Sequence, residues 1–159
     1  MIIDTIRTRL NEQGIFQADT TIAEKQTVVG YDKRFKFRWF ATQLNTFIMA
    51  PDYGEETVTV PSIDSYLNEA FDYAKANYKG WPRGLQSGMG VIAIFVSSSF
   101  DGEAIDYCAN LKTGKKWAGF SIPVAANAET GEVTYFKKKP IWGKIYYPHF
   151  EKLITGVTS

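Results

Sequence analysis

The chain contains one histidine, His149, the side chain type that most often serves as a general base near neutral pH. Glu151 is close to it in the sequence. Nucleophilic catalysis would also need a serine or cysteine in a recognisable turn, and no such motif is present. The single cysteine, Cys108, falls inside a helical pattern that is typical of a core position. The sequence therefore favours a protein without catalysis, with His149 as its only candidate catalytic residue.

A second candidate site follows the most apolar run of the chain, Val91–Val96. It consists of Ser97, Ser98, Ser99 and Asp101. Ligands of open α/β sheets bind at the carboxyl ends of strands, where free amides and the positive end of the next helix converge. Arg83, in the glycine-rich loop before that run, can add positive charge. These residues predict a site for a small anionic ligand, with a capped turn as the simpler structural alternative.

Basic residues alternate with aromatic ones in a third stretch, where they are Lys33, Arg34, Lys36 and Arg38. A basic, aromatic strand face can bind single-stranded nucleic acid through charge and stacking. The formal net charge is only +1, unlike that of a typical nucleic-acid-binding domain. The Glu-x-Lys triplet that a common metal-dependent nuclease would need is absent. We therefore rank nucleic acid as the third hypothesis and do not expect it as a partner.

The sequence predicts neither a metal site nor a cofactor. One histidine and one cysteine cannot supply a conventional structural zinc site. A magnesium site made of carboxylates alone stays open. The glycine-rich loop that contains Arg83 runs from helix into strand, which is the wrong direction for a phosphate-binding loop.

Composition limits the class of protein. A chain of 159 residues fits a single globular domain over 1–159. The aromatic fraction of 15% suggests an aromatic contact surface, so we expect a homo-oligomer. The amino terminus lacks the apolar core of a signal peptide, and no apolar run reaches the length of a membrane span. We therefore expect a cytoplasmic protein without membrane contact.

Periodicity predicts four helices and six strands. The helices are Ile2–Gln13, a segment from Ser62 as N-cap to Tyr78, a segment from Asp101 as N-cap to Asn110, and Pro148–Ile154. The strands are Thr27–Tyr31 and Phe35–Ala41 around a turn at residues 32–34, then Asn45–Ala50, Met89–Val96, Lys116–Ala125 and Glu132–Lys138.

These elements predict an α+β fold. A mixed sheet would combine an antiparallel amino-terminal meander, one βαβ-like crossover and a carboxyl-terminal hairpin. Three to four helices would pack on it, mainly against one face, with Val91–Val96 at its centre. The leading functional hypothesis is a small, non-catalytic, self-associating binding domain. An enzyme or binding protein for a small anionic ligand is the alternative.

Overall fold

The computed structural model describes residues 2–36, 42–80, 87–110, 119–136 and 147–158. The elements follow the order α1 (Ile2–Glu12), β1 (Phe16–Ile22), β2 (Lys25–Lys36), β3 (Thr42–Gly54), α2 (Val60–Asn77), β4 (Ser87–Ser97), α3 (Gly102–Asn110), β5 (Gly119–Asn127), β6 (Val133–Thr134) and α4 (Tyr147–Thr158). The strands form one six-stranded sheet in chain order, β1-β2-β3-β4-β5-β6. The predicted α+β fold with a mixed sheet is confirmed.

The sheet is antiparallel at both edges and parallel in the middle. β1, β2 and β3 form the antiparallel meander, and β5 and β6 form the terminal hairpin. β4 is parallel to both β3 and β5, so α2 and α3 each belong to a crossover connection. The sequence predicted one crossover. The second arises because β3 runs in the same direction as β4.

Helices cover both faces of the sheet, which corrects the prediction that they pack mainly against one. α2 and α3 pack on the face that includes Phe47, Val91 and Phe95. α1 and α4 pack on the opposite face, against Ile48 and Ile92. We call these the α2/α3 face and the α1/α4 face. β4 pairs with a strand on each side, and helices cover both of its faces. Its apolar run Val91–Val96 is therefore buried at the centre of the sheet, as predicted.

The amino-terminal strands differ most from the predictions. The turn predicted at residues 32–34 is wrong, because β2 is continuous from Lys25 to Lys36. β1 was not predicted, since the polar residues of an edge strand give a weak pattern. The predicted stop at Pro51 is also wrong, because β3 continues to Gly54.

The N-cap of α2 is Thr59, which corrects the prediction of Ser62. The Thr59 side chain accepts a hydrogen bond from the Ser62 amide, and the Ser62 hydroxyl accepts one from the Thr59 amide, at 3.2 and 2.9 Å. This reciprocal capping box satisfies two amides of the helix end and stabilises it by about 1 kcal/mol. Pro61 is tolerated because it lies in the first turn. The cap fixes where the chain leaves β3.

Candidate functional site

The three parallel strands give the sheet two chemically distinct ends. At the carboxyl end, β3 finishes at Gly54, β4 at Ser97 and β5 at Asn127. At the amino end these strands begin, and the antiparallel β2 finishes there at Lys36. The predicted site residues divide between the two ends.

The structure brings the predicted serines together at the carboxyl end, where their hydroxyls are used internally. Ser97 is fully buried, and its hydroxyl donates to the Glu56 carbonyl at 2.7 Å and accepts from the Ser99 amide at 3.1 Å. The Ser99 hydroxyl pairs with that of Thr57 at 2.8 Å. The Ser98 hydroxyl donates to the Gly54 carbonyl at 3.4 Å. These bonds hold the end of β3 against the end of β4.

A cavity of about 390 Å³ adjoins the serines. Its described lining is Ser98, Ser99, Phe100, Ile105, Ala125, Asn127, Glu132 and Thr134. The Asn127 side-chain oxygen, Oδ1, is already occupied, because it accepts from the backbone amides of Glu129 and Thr130. Exposed carboxylates surround this end of the sheet: Asp52, Glu55, Glu56, Asp101, Glu103, Glu129 and Glu132. Negative potential repels an anion. The geometry therefore supports the capped turn better than an anion site at Ser97–Asp101.

His149 lies at the other end of the sheet, in a buried pair that the sequence did not indicate. Its Nε2 lies 2.8 Å from Asp32 Oδ2, although the two residues are 117 positions apart. The side chains are only 4% and 3% exposed. The Arg34 Nε donates to the other Asp32 oxygen at 3.3 Å. The pair holds the first turn of α4 against β2, which is why Asp32 can lie inside a strand.

A cavity adjoins the His149 ring. A carboxylate on a histidine nitrogen is the arrangement that orients a general base. The cavity has a volume of about 470 Å³ and is lined among the described residues by Gln13, Arg34, Pro148, His149, Lys152, Leu153 and Gly156. That described lining includes no serine, threonine or cysteine. What the described residues do show is that His149 joins α4 to β2 through Asp32.

A second polar network lies at the amino end on the α2/α3 face. The Tyr31 hydroxyl donates to Asn45 Oδ1 at 2.7 Å and accepts from the Lys79 amide at 3.1 Å. Asn45 Nδ2 donates to the Gly88 carbonyl at 3.2 Å. A Cβ on Gly80 would lie 2.6 Å from the Asn45 side-chain amide, so any larger residue there would force that amide to shift. Burial raises the pKa of Tyr31, and the bond from the Lys79 amide partly offsets that rise.

The basic side chains differ in whether they are paired with a carboxylate. Arg7, Arg9, Lys25 and Lys75 each form an ion pair with a nearby carboxylate. Within the described ranges, three exposed lysines have no ion-pair partner: Lys33, Lys79 and Lys152. Lys33 and Lys79 line a cavity of about 360 Å³ beside Tyr31. Lys152 lines the larger cavity beside Arg34. All three lie at the amino end.

The basic residues predicted at 33–38 lie only partly within the described residues. Lys33 and Arg34 are exposed, and strand alternation places them on opposite faces of β2. Lys36 ends β2. Arg38 and Arg83 lie outside the described residues.

The candidate residues do not converge on one cleft. The register places Asp32 opposite Thr46, and Thr46 opposite Gly90. Ser97 is seven positions further along β4, roughly 23 Å away at the rise of an extended strand. His149 and the serines therefore belong to different ends of the molecule.

The described part of the chain offers neither a metal-binding cluster nor a membrane-spanning helix. There, no group of three or more His, Cys, Asp or Glu side chains is arranged to hold a metal ion. None of the helices within the described ranges combines the length and the apolar character that crossing a bilayer requires.

Comparison with known proteins gives no family, since no protein-family model, curated protein or solved structure matches this chain. Function is therefore inferred from the chain's own geometry and charge.

Proposed function

We propose that this protein binds single-stranded nucleic acid at the amino end of its sheet, without catalysis. The observation that carries the proposal is the set of three exposed lysines without ion-pair partners in the described part of the chain, all at that end. A lysine already paired with a carboxylate must give up that pair to bind a phosphate. Lys33, Lys79 and Lys152 need not do so.

The distribution of charge along the sequence supports the same end. Nine of the 18 Lys and Arg fall in four stretches of the sequence that contain no Asp or Glu, residues 37–41, 81–86, 111–118 and 137–146: Arg38, Arg83, Lys112, Lys115, Lys116, Lys137, Lys138, Lys139 and Lys144. Each stretch adjoins in sequence a described residue at the amino end, namely Lys36, Gly80, Gly119 or Tyr147. The sequence next to these four residues is therefore basic, although the net charge of the chain is only +1.

The kind of polyanion follows from the aromatic residues. All four tryptophans of the sequence, Trp39, Trp81, Trp117 and Trp142, belong to the same four segments. Phosphate-binding cations combined with aromatic rings are the chemistry that binds single strands, whose unpaired bases can stack. The acidic carboxyl end would repel the same strand and so orient the complex. A low net charge does not count against such a site, because the field that a ligand meets is local.

The test compares two lysine pairs by fluorescence anisotropy with labelled single-stranded DNA and RNA over a salt series. Lys33→Ala with Lys79→Ala removes two unpaired cations at the amino end. Lys25→Ala with Lys75→Ala removes the same charge from ion-paired positions. We expect the first variant to bind at least about tenfold more weakly at low salt, and its salt slope to fall by about 1.4. The second variant should bind like the wild type.

Three results would contradict the proposal. The first is that the wild-type protein does not bind at low salt. The second is that the two double variants lose the same affinity. The third is that the protein binds phosphatidylserine vesicles and no oligonucleotide, which would assign the amino end to a lipid surface.

A further inference from the structure

We infer that the cavity between α1, α4 and β2 is a site for a phosphate monoester. If the proposed function holds, on which this assignment of the ligand rests, the phosphate is the terminal phosphate of the bound strand. The cavity has a volume of about 470 Å³, which holds a terminal nucleotide as well as its phosphate.

Two cationic side chains on its wall retain donors for a ligand. Arg34 uses only its Nε, on Asp32, so its two terminal nitrogens make no hydrogen bond to any described residue. Lys152 is exposed and makes no hydrogen bond or ion pair within the described ranges. The two terminal guanidinium nitrogens and the ammonium can donate to the three terminal oxygens of a phosphate monoester, one more than a diester presents.

The buried pair beneath the cavity holds the arginine in position. Asp32 is 3% exposed and receives both His149 Nε2 and Arg34 Nε. Each Asp32 oxygen therefore has a partner, and the guanidinium is oriented on a buried carboxylate instead of moving freely in water. Because Asp32 is occupied on both oxygens, its negative charge is offset before a ligand arrives.

A close contact between α1 and α4 also borders the cavity. The side-chain amide of Gln13 donates to the Gly156 carbonyl at 3.3 Å, which joins the end of α1 to α4. A Cβ on Gly156 would lie 3.2 Å from the Gln13 nitrogen, so a side chain there would crowd this wall. Glu151, the carboxylate next to Lys152 in the sequence, accepts a hydrogen bond from Tyr135.

The first experiment uses the ring of His149 as a reporter, because it is the only histidine and gives one set of ring signals by NMR. Inorganic phosphate is titrated into the wild type, Arg34→Gln, Lys152→Gln and, as a control, Lys33→Gln. We expect a saturable shift in the wild type and in Lys33→Gln. The shift should be lost in Arg34→Gln and Lys152→Gln. Thermal melts check that each variant is folded.

The second experiment compares oligonucleotides of one sequence with a 5′-phosphate, a 3′-phosphate or hydroxyls at both ends. We expect one phosphorylated form to bind at least about tenfold more tightly than the hydroxyl form, the gain of one charge-assisted hydrogen bond. Lys152→Gln should remove this preference, so that the phosphorylated and hydroxyl forms bind the variant equally.

The outcomes separate the two proposals. If oligonucleotides bind equally with and without terminal phosphate, and phosphate leaves the His149 signals unchanged, the phosphate site is wrong while the proposed function stands. If no oligonucleotide binds but phosphate gives the saturable shift, the proposed function is wrong and the cavity takes a free phosphate compound. An identical shift in Lys152→Gln and the wild type would also overturn the site.

Discussion

Both ends of the sheet are held by buried polar side chains, but the two ends differ in what those side chains leave available. At the carboxyl end, the neutral hydroxyl of Ser97 bonds the backbone, and carboxylates face the solvent. At the amino end, the buried Asp32–His149 pair supports Arg34, and lysines stand without ion-pair partners in the described part of the chain. Polar residues at a strand end therefore indicate a site only when some of their hydrogen-bonding capacity is unused.

The largest difference between the two ends should appear when their buried groups are removed. His149→Ala leaves the Asp32 carboxylate buried without its histidine, which we expect to lower the free energy of unfolding by about 3–5 kcal/mol. Urea unfolding at neutral pH measures it. The double variant His149→Ala, Asp32→Asn should recover part of the loss, because the amide carries no charge. A loss below about 1 kcal/mol in the single variant would show that the pair does not hold α4 in place.

The corresponding substitution at the carboxyl end should lower the free energy of unfolding by less. Ser97→Ala removes a neutral hydroxyl and leaves the Glu56 carbonyl and the Ser99 amide without it, for a loss of about 1–3 kcal/mol. Ser98→Ala is the matched control, since the Ser98 hydroxyl is half-buried and makes only one long bond, at 3.4 Å. Equal losses in the two serine variants would contradict a structural role for Ser97.

Alkaline pH should also act on the carboxyl end. Burial, with the nearby Glu56 charge, raises the pKa of Tyr53 from 10.0 to about 12. Because the unfolded chain ionises first, the stability from this tyrosine is complete below pH 10 and is lost as the pH rises towards 12. Near pH 11, we expect the free energy of unfolding of Tyr53→Phe to have fallen by about 1 kcal/mol less than that of the wild type. Urea unfolding of both proteins at several pH values measures the difference, and parallel declines would contradict it.

The smallest expected effect is the loss of stability when a single lysine is removed, which can be compared between the two ends. Lys25 Nζ lies 2.7 Å from Glu56 and 4.7 Å from the centre of the Tyr53 ring, so Lys25→Ala should cost about 0.5–1 kcal/mol. Lys33→Ala should cost nothing measurable, because Lys33 has no ion-pair partner among the described residues. Thermal melts at low salt compare the two. A larger loss for Lys33→Ala would mean that this lysine serves the fold rather than a ligand.

The elements that the sequence predicted well are those whose signal is local. The apolar stripe of α2 gives its buried face, and the run Val91–Val96 gives the central strand. The end of α3 at Asn110 was also placed correctly. In each case, neighbouring residues decide the structure by periodicity and turn chemistry.

The features that the sequence did not reveal depend on distant partners. Asp32-Lys33-Arg34 resembles a turn until His149, far along the chain, supplies the partner that allows Asp32 to be buried. The grouping of Lys33, Lys79 and Lys152 is equally hidden, because they belong to separate parts of the chain that only the fold brings to one end. His149 itself was found, as a candidate catalytic residue, and its buried pairing gives it a structural explanation instead.

The order of the strands has a consequence for how the protein forms during synthesis. Each strand pairs with the one made just before it, so the sheet can grow outwards without a late strand entering between two that are already paired. The last helix is different, because α4 carries the partner of a carboxylate on the second strand. A nascent chain can thus assemble its whole sheet while Asp32 still lacks its histidine partner, which makes docking of α4 the closing step of folding.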